Sequence, residues 1–305
     1  MSTATFKAAV VRTPGGPDSI EFIDVPVAEP GPGEVRVRIA AAAVNPVDLA
    51  VAGGVFHAMG LIHQPDHTGL GWDFAGTVVA VGPGVDLAAG TRVAGLVDGF
   101  DREFGTYAEQ LIVPATNLAV VPDGLDLAAA STVPLNALTA AQILDLLGDA
   151  PADASRLLVT GAAGAVGGYV AVLAPDRGWQ VTGLARAEDE DFVRSLGAGF
   201  TTKAEPGWDA VADGAVMQES ALALVRDGGA FVGVQPSAKL PDERGIRVDA
   251  VVVHPDDPRL ANLLARTASG ELPARVHAVV PLDQVADAHR AVAKGGLRGR
   301  YVLEP

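Results

Sequence analysis

The chain contains no cysteine. That absence removes disulfide staples, thiolate nucleophiles and every cysteine-built zinc site. No apolar run reaches the ~18 residues needed to cross a bilayer. The opening stretch, MSTATFKAAVV, lacks a basic segment followed by a long apolar core, so no secretion signal is read there. Positive charge is also scarce: 22 Lys and Arg stand against 37 Asp and Glu, a net charge of −15. A field of that sign repels nucleic acid and anionic membrane surfaces, and no basic stripe overrides it. A soluble cytoplasmic protein, with room for a local phosphate pocket, is the default expectation.

What is present is enough apolar material to fold. Of 305 residues 49% are hydrophobic and 19% charged, which suits one large domain or two ordinary ones. The texture changes along the chain. Up to about residue 120, short alternating runs at 7–11, 19–25, 34–44, 76–82, 91–96 and 105–113 read as strands, separated by Gly/Pro turns. Such a pattern predicts an antiparallel barrel or sandwich. From about 123 the chain reads as helix, interrupted at Pro134. Strands at 156–160, 180–185, 208–213, 230–234 and 246–253 then alternate with helices, including one over QESALALVRDGG. That alternation predicts a doubly wound α/β unit with a parallel sheet. The tail adds a strand at 274–282, a helix over LDQVADAHRAVAKG and a last strand, GRYVLEP.

One stretch points to a ligand. LLVTGAAGAVGGYVAVLA places Gly161, Gly164 and Gly167 in a G-x-x-G-x-x-G spacing between an expected strand and an expected helix. Residues without Cβ let the backbone approach a pyrophosphate, and the helix N-terminus offers N–H groups and partial positive charge. Gly161, Ala163, Gly164, Ala165, Val166 and Gly167 are therefore the candidate cradle for a dinucleotide. A tight turn holding nothing is the bland alternative. The next strand ends at Ala185, followed by Arg186, where an NAD site carries an acid for the ribose 2′-hydroxyl. A guanidinium there forks onto a 2′-phosphate, so the sequence favours NADPH. Lys203 is a weaker candidate for the same phosphate. The competing use of Arg186 is a surface pairing with Glu188 to Asp191.

With these motifs the chain resembles the medium-chain dehydrogenase/reductase superfamily, and within it the zinc-free, zeta-crystallin-like quinone oxidoreductase branch. The resemblance runs through PGPGEVRVRIAAAAVNPVDL, GWDFAGTVVAVGPGV, GTYAEQLIVP, LNALTA, VTGAAGAVG, DGGAFVGV and PLDQVADAHRAV in order. It implies a GroES-like catalytic domain over 1–122 and 267–305, a Rossmann NADPH-binding domain over 123–266, and a substrate site in the cleft between them. It also implies a homodimer pairing the strands at 246–253 and a small-molecule substrate, with no nucleic-acid or membrane partner. Zinc-dependent members carry a cysteine in the turn that here reads Val44-Asn45-Pro46-Val47-Asp48, a Gly-His-Glu where this chain has Gly71-Trp72-Asp73, and a four-cysteine lobe missing here. No metal is therefore expected. Reduction of a quinone or of an enal or enone remains feasible without one, because the acceptor delocalises the incoming charge.

The resemblance also suggests roles. Asn45 would sit beside the nicotinamide and donate to a cofactor or substrate oxygen; its alternative is a turn residue before Pro46. Asp48 is either catalytic or a helix cap. Thr139 would contact the nicotinamide end, or bond its own helix. The backbone of Gly233, Val234 and Gln235 would face the carboxamide, with Arg298 and Arg300 approaching from the tail. Trp72 would line the pocket. Tyr107 reads as packing before proton donation. His57, His63, Asp66, His67 and Asp73 cluster in sequence, but Pro65 and Gly69 argue for a loop, so pocket lining or a proton relay is favoured over metal binding. Two rival functions stand: a non-catalytic NADPH-binding or regulatory protein of the same fold, and a metal-dependent alcohol dehydrogenase using the His57–His67 loop.

Overall fold

The computed structural model describes residues 4–153 and 155–305; the first three residues of the N-terminal stretch read for targeting lie outside them. Among the described residues no helix is long and apolar enough to cross a membrane. The first strands are β1 (Thr5–Val11), β2 (Ile20–Pro26) and β3 (Glu34–Ala43). In β3 the alternation of EVRVRI puts Val35, Val37 and Ile39 inside and the charged residues between them outward. Pro46 opens α1 (Pro46–Ala52), where its fixed φ suits a first helical position. There follow α2 (Val55–Ala58), β4 (Thr68–Gly69), β5 (Asp73–Val81), β6 (Arg92–Leu96), β7 (Gln110–Pro114), β8 (Leu118–Val120) and α3 (Leu127–Ser131). The strand read from 105 begins only at Gln110; Ala108 makes an isolated bridge to Ala8. Pro134 opens α4 (Pro134–Leu147) rather than kinking one long helix.

The second series is β9 (Arg156–Thr160), α5 (Ala165–Leu173), β10 (Gln180–Leu184), α6 (Glu190–Ser195), β11 (Gly199–Thr201), β12 (Trp208–Asp213), α7 (Glu219–Leu222), β13 (Val225–Gly233) and β14 (Arg247–Ala250). The helix expected over QESALALVRDGG is one turn long. Val225 already enters β13, where it is buried opposite Trp208, so tertiary packing overrides local propensity. The strand expected over 246–253 keeps its ladder only at 247–250. The chain closes with α8 (Asp257–Ala268), β15 (Val276–Pro281), α9 (Val285–Ala293) and β16 (Arg300–Glu304).

The chain divides into two compact units. One runs up to Leu135 and resumes at His254–Pro305; the other is Asn136–Val253. The sequence boundaries of 122 and 267 lie outside this division because α3 packs on β3 and β5, and α8 packs on β8. The first unit holds a sheet of order β2-β1-β4 and a mixed sheet of order β15-β16-β3-β5-β6-β8, with β7 paired to β3. Its core gathers Val11, Val37, Phe74, Tyr107, Leu111 and Leu303. The second unit is one six-stranded sheet, all parallel, of order β11-β10-β9-β12-β13-β14. Strand β9 reads as a continuous apolar run because it sits centrally and is buried from Leu157 on. Numbered within the sheet, the order is 3-2-1-4-5-6, the doubly wound arrangement that binds ligands where the order reverses, beside β9.

Candidate functional site

In the parallel-sheet unit the glycine stretch forms the turn from β9 into α5. Gly161 adopts φ +61°, and its carbonyl accepts from the Gly164 N–H at 2.8 Å. Gly164 is the N-cap of α5, so the capping residue itself places no side chain at the helix end. A Cβ at Gly167 would come within 2.4 Å of the Gly161 carbonyl oxygen. The turn and helix thus approach more closely than any other residue allows. Ala163 and Ala165 are buried beside this turn and Val166 is half-buried. The cradle therefore fits a pyrophosphate by the steric logic that its spacing predicts.

The adjacent parallel strands deliver the two basic candidates to one end of the sheet. Arg186 follows β10 and Lys203 follows β11, with Leu184 paired to Thr201. Neither cation stands apart. The Arg186 Nε lies 3.0 Å from a buried oxygen of Asp189 and 3.4 Å from Glu188. This is the pairing that competes with phosphate reading. Lys203 pairs with Glu205 at 2.8 Å on the surface. Gly233, buried, ends β13; Val234 is half-buried and Gln235 exposed, and the Gln235 Oε1 accepts from Gln218 Nε2 at 2.9 Å. Thr139 is buried in the middle of α4.

In the β-rich unit, side chains remote in sequence converge. Asp48, at the third position of α1, is fully buried. Its Oδ2 accepts from the Asn45 N–H and the Tyr107 hydroxyl, both at 2.9 Å, and its Oδ1 from the Gly71 N–H at 3.0 Å. It is the cap of α1 and the anchor of two other segments. Burial pushes its carboxyl up to about 6 in spite of these donors. Gly71 has φ +93°, and a Cβ there would strike Thr106 and the Tyr107 ring, so the turn leading into β5 requires glycine. Tyr107 is buried with its hydroxyl turned to Asp48, which supports the packing reading; burial and then the Asp48 charge raise it well above the usual phenol range.

Asn45 is 1% exposed. Its Nδ2 donates to the Ala43 carbonyl at 3.3 Å and to Asp73 Oδ1 at 3.0 Å, and its Oδ1 accepts from the Arg300 Nε at 2.9 Å. The amide is a clamp between a carboxylate and a guanidinium. It donates to a ligand only by releasing one of these partners. Asp73 also receives the Leu135 N–H at 3.4 Å, and burial, then Asp48, lifts it well above its ordinary value, with Arg300 opposing. Arg298 is exposed in the bend before β16.

Trp72 is buried beneath Arg102, whose guanidinium lies 5.2 Å from the indole ring centre. Arg102 donates to the Val97 carbonyl at 2.8 Å and also to the Gly71 and Gly99 carbonyls. Burial lowers it to about 10, with Asp48 opposing. Sequence spacing gave no sign of Arg102, because it arrives from a loop with no pattern. The histidines scatter as the loop reading predicts. His57 faces Thr68 at 3.2 Å, His63 pairs with Asp101 at 3.0 Å, His67 lies against the Phe104 ring and Asp66 is exposed. Among the described residues no group of three or more His, Asp or Glu side chains is placed to hold a metal ion.

Residues 31–123 match the alcohol dehydrogenase GroES-like domain family, and residues 185–303 match the zinc-binding dehydrogenase family. The chain is 30% identical to an NADPH-dependent alkenal/one oxidoreductase of Arabidopsis thaliana over 98% of its own length and 79% of that protein's. It is 31% identical to a quinone-oxidoreductase homolog of Spinacia oleracea over 60% of its length and 56% of that protein's. A solved quinone oxidoreductase from Coxiella burnetii superposes with a TM-score of 0.87 over 99% of this chain and all of that one; at 22% identity this shows the fold. The chain spans 6%, 4%, 56% and 57% of the lengths of four curated relatives it matches, two of them polyketide synthases.

Proposed function

The chain belongs to the medium-chain dehydrogenase/reductase superfamily, in the group that contains quinone and alkenal/one oxidoreductases, and we propose that it uses NADPH to reduce a quinone, an enal or an enone without a metal ion. When bound, the nicotinamide supplies a hydride, and a conjugated acceptor carries the arriving charge to its own oxygen. The observation that carries this reading is the β9–α5 turn, tight at Gly161 and Gly167, at the point where the strand order of the parallel sheet reverses. Metal-free chemistry is supported by what fills two positions that hold ligands in zinc-dependent relatives. One is an amide engaged with Ala43, Asp73 and Arg300; the other is an indole stacked under Arg102. Asn45 and Asp48 are positioning residues in this scheme, Asn45 orienting Arg300 and Asp48 fixing the start of α1. Thr139 is the candidate contact to the nicotinamide, and Gly233 to Gln235 supply backbone groups at the C-terminal end of β13.

Assay of the purified protein with NADPH and a panel of quinones, enals and enones, beside elemental analysis, tests the proposal. We expect turnover with conjugated acceptors and no stoichiometric zinc. Chelator-sensitive alcohol oxidation would favour the metal-dependent rival, and tight NADPH binding with no turnover the regulatory one. The preference for NADPH rests on Arg186 turning from Asp189 and Glu188 to a 2′-phosphate. Arg186→Ala is expected to weaken NADPH by about 10- to 100-fold, the worth of a charge-assisted hydrogen-bond pair, while NADH binding changes little. Equal losses for both would remove the assignment. Self-association is proposed through β14, the edge strand of the parallel sheet; Ala250→Pro, at a position whose N–H points away from β13 because that of Val251 bonds the Gly233 carbonyl, should give a lighter species in analytical ultracentrifugation.

A further inference from the structure

The segment after β12 is held in an unfavourable conformation by a buried carboxylate. Val216, a β-branched residue, has φ +58° and Gln218 has φ +52° with ψ −121°. Such backbone geometry persists only where the surroundings impose it. Here they are Asp213 and Thr160, both at most 1% exposed. The Thr160 hydroxyl donates to Asp213 Oδ1 at 2.5 Å, and that oxygen also accepts from the Met217 N–H at 3.0 Å. Asp213 Oδ2 accepts from the Gln218 N–H at 2.8 Å, and Thr160 Oγ1 from the Ala215 N–H at 3.1 Å. Every backbone N–H bond in this set comes from the strained segment, and both anchors are the last residues of neighbouring strands, β12 and β9.

The segment borders the phosphate turn directly. The space where Gly161 lacks a Cβ is closed by Ala215, whose Cβ would be 3.1 Å away. Beyond Ala215 the side chains of Val216 and Met217 are exposed by 41% and 36%. Two exposed apolar side chains on an imposed backbone, next to the Gly161 turn at the sheet's C-terminal edge, suit contact with a flat apolar ring. We propose that Asp213 is a positioning residue for the dinucleotide. It locks residues 215–218 so that Val216 and Met217 form the apolar wall of the cofactor site beside the Gly161 turn. This rests on the reading of that turn as a dinucleotide cradle. The wall does not read the 2′ position, so it serves NADPH and NADH alike.

In Asp213→Asn the Gln218 N–H faces an amide N–H in place of a carboxylate oxygen, and the strained residue loses its tether. Fluorescence titration with NADPH and with NADH should show both dissociation constants raised about ten-fold, the scale of one lost charge-assisted hydrogen bond. Their ratio should stay unchanged. Adding Gln218→Gly, which adopts the observed φ without penalty, should bring both constants back most of the way. Unchanged affinity in Asp213→Asn would overturn the proposal, and so would a loss that the glycine does not rescue, since a purely structural aspartate predicts no such rescue. If Asp213→Asn does not fold, Thr160→Val gives the same readout: a loss of about three- to ten-fold for both cofactors supports the lock, and wild-type affinity overturns it. If the wild-type chain binds neither cofactor, the functional reading itself fails, which is distinct from a wild type that binds and a variant that binds equally well.

Discussion

The phosphate turn of the parallel-sheet unit and the polar cluster of the β-rich unit are built by opposite means. The first is made of backbone. Its constraint is the missing Cβ at Gly161 and Gly167, and its residues are consecutive. The second is made of side chains from residues 45, 48, 72, 73, 102, 107 and 300 gathered around the Gly71 backbone, and its constraint is that buried polar atoms must find partners. A backbone site is rigid and tolerates no added atom. A side-chain site tolerates change of shape but not loss of a hydrogen-bonding group. Perturbing each region in the other's currency tests that distinction.

The largest effect should come from the side-chain region. Asp48→Ala leaves the Asn45 N–H, the Gly71 N–H and the Tyr107 hydroxyl buried without an acceptor. Each orphaned donor costs at least about 1 kcal/mol, so a loss of about 3–4 kcal/mol is expected in urea unfolding. Because Asn45 loses its anchor, the loss should extend to acceptor turnover. A variant as stable as wild type would show that water reaches the cluster and that burial is not its organising constraint.

The backbone region should respond to a single methyl. Gly167→Ala puts a carbon within 2.4 Å of the Gly161 carbonyl oxygen, a backbone atom that cannot swing aside. The turn must open, at about 2–3 kcal/mol by the usual scale of overpacking. Binding of NADPH and NADH should fall together, without the change of preference expected at Arg186. Tight binding retained by Gly167→Ala would erase the contrast between the two regions.

The same contrast explains what could be read in the sequence. The G-x-x-G-x-x-G spacing exposes a backbone requirement directly, because only one residue type satisfies it. The alternating run of β3 and the apolar run of β9 likewise carry their own burial pattern. The polar cluster has no such signature. Asn45 and Asp48 are visible only through resemblance, and their partners Arg300 and Tyr107 arrive from segments over fifty residues away. The short α7 departs from the longer helix expected there because ESALALVR has good helical propensity, while Val225 is claimed by the sheet opposite Trp208. Asp213 was visible as the last residue of a strand, but its tether to the segment after it depends on positive φ values that no composition announces.

The smallest effect at neutral pH sharpens the comparison from within the side-chain region. His289 on α9 is fully buried, its ring 5.8 Å from that of Tyr107, and neither of its nitrogens has a hydrogen-bond partner. Burial lowers its pKa to about 4. The folded state therefore keeps it neutral where the unfolded chain, near 6.5, takes up a proton. Stability contributed by the neutral ring is complete above the unfolded pKa and is lost as pH falls from about 6.5 through about 4. His289→Leu removes both orphaned nitrogens and the titration. At neutral pH it should gain about 1 kcal/mol, the worth of no longer burying an unpaired polar group. At about pH 5 the advantage should widen by a further ~2 kcal/mol, because wild type alone loses stability to protonation of its unfolded state. Urea midpoints for both proteins at the two pH values decide it. A difference that stays constant with pH would mean that the imidazole is solvated or bonded after all, and that the cluster around Tyr107 is less dry than Asp48 and Tyr107 imply.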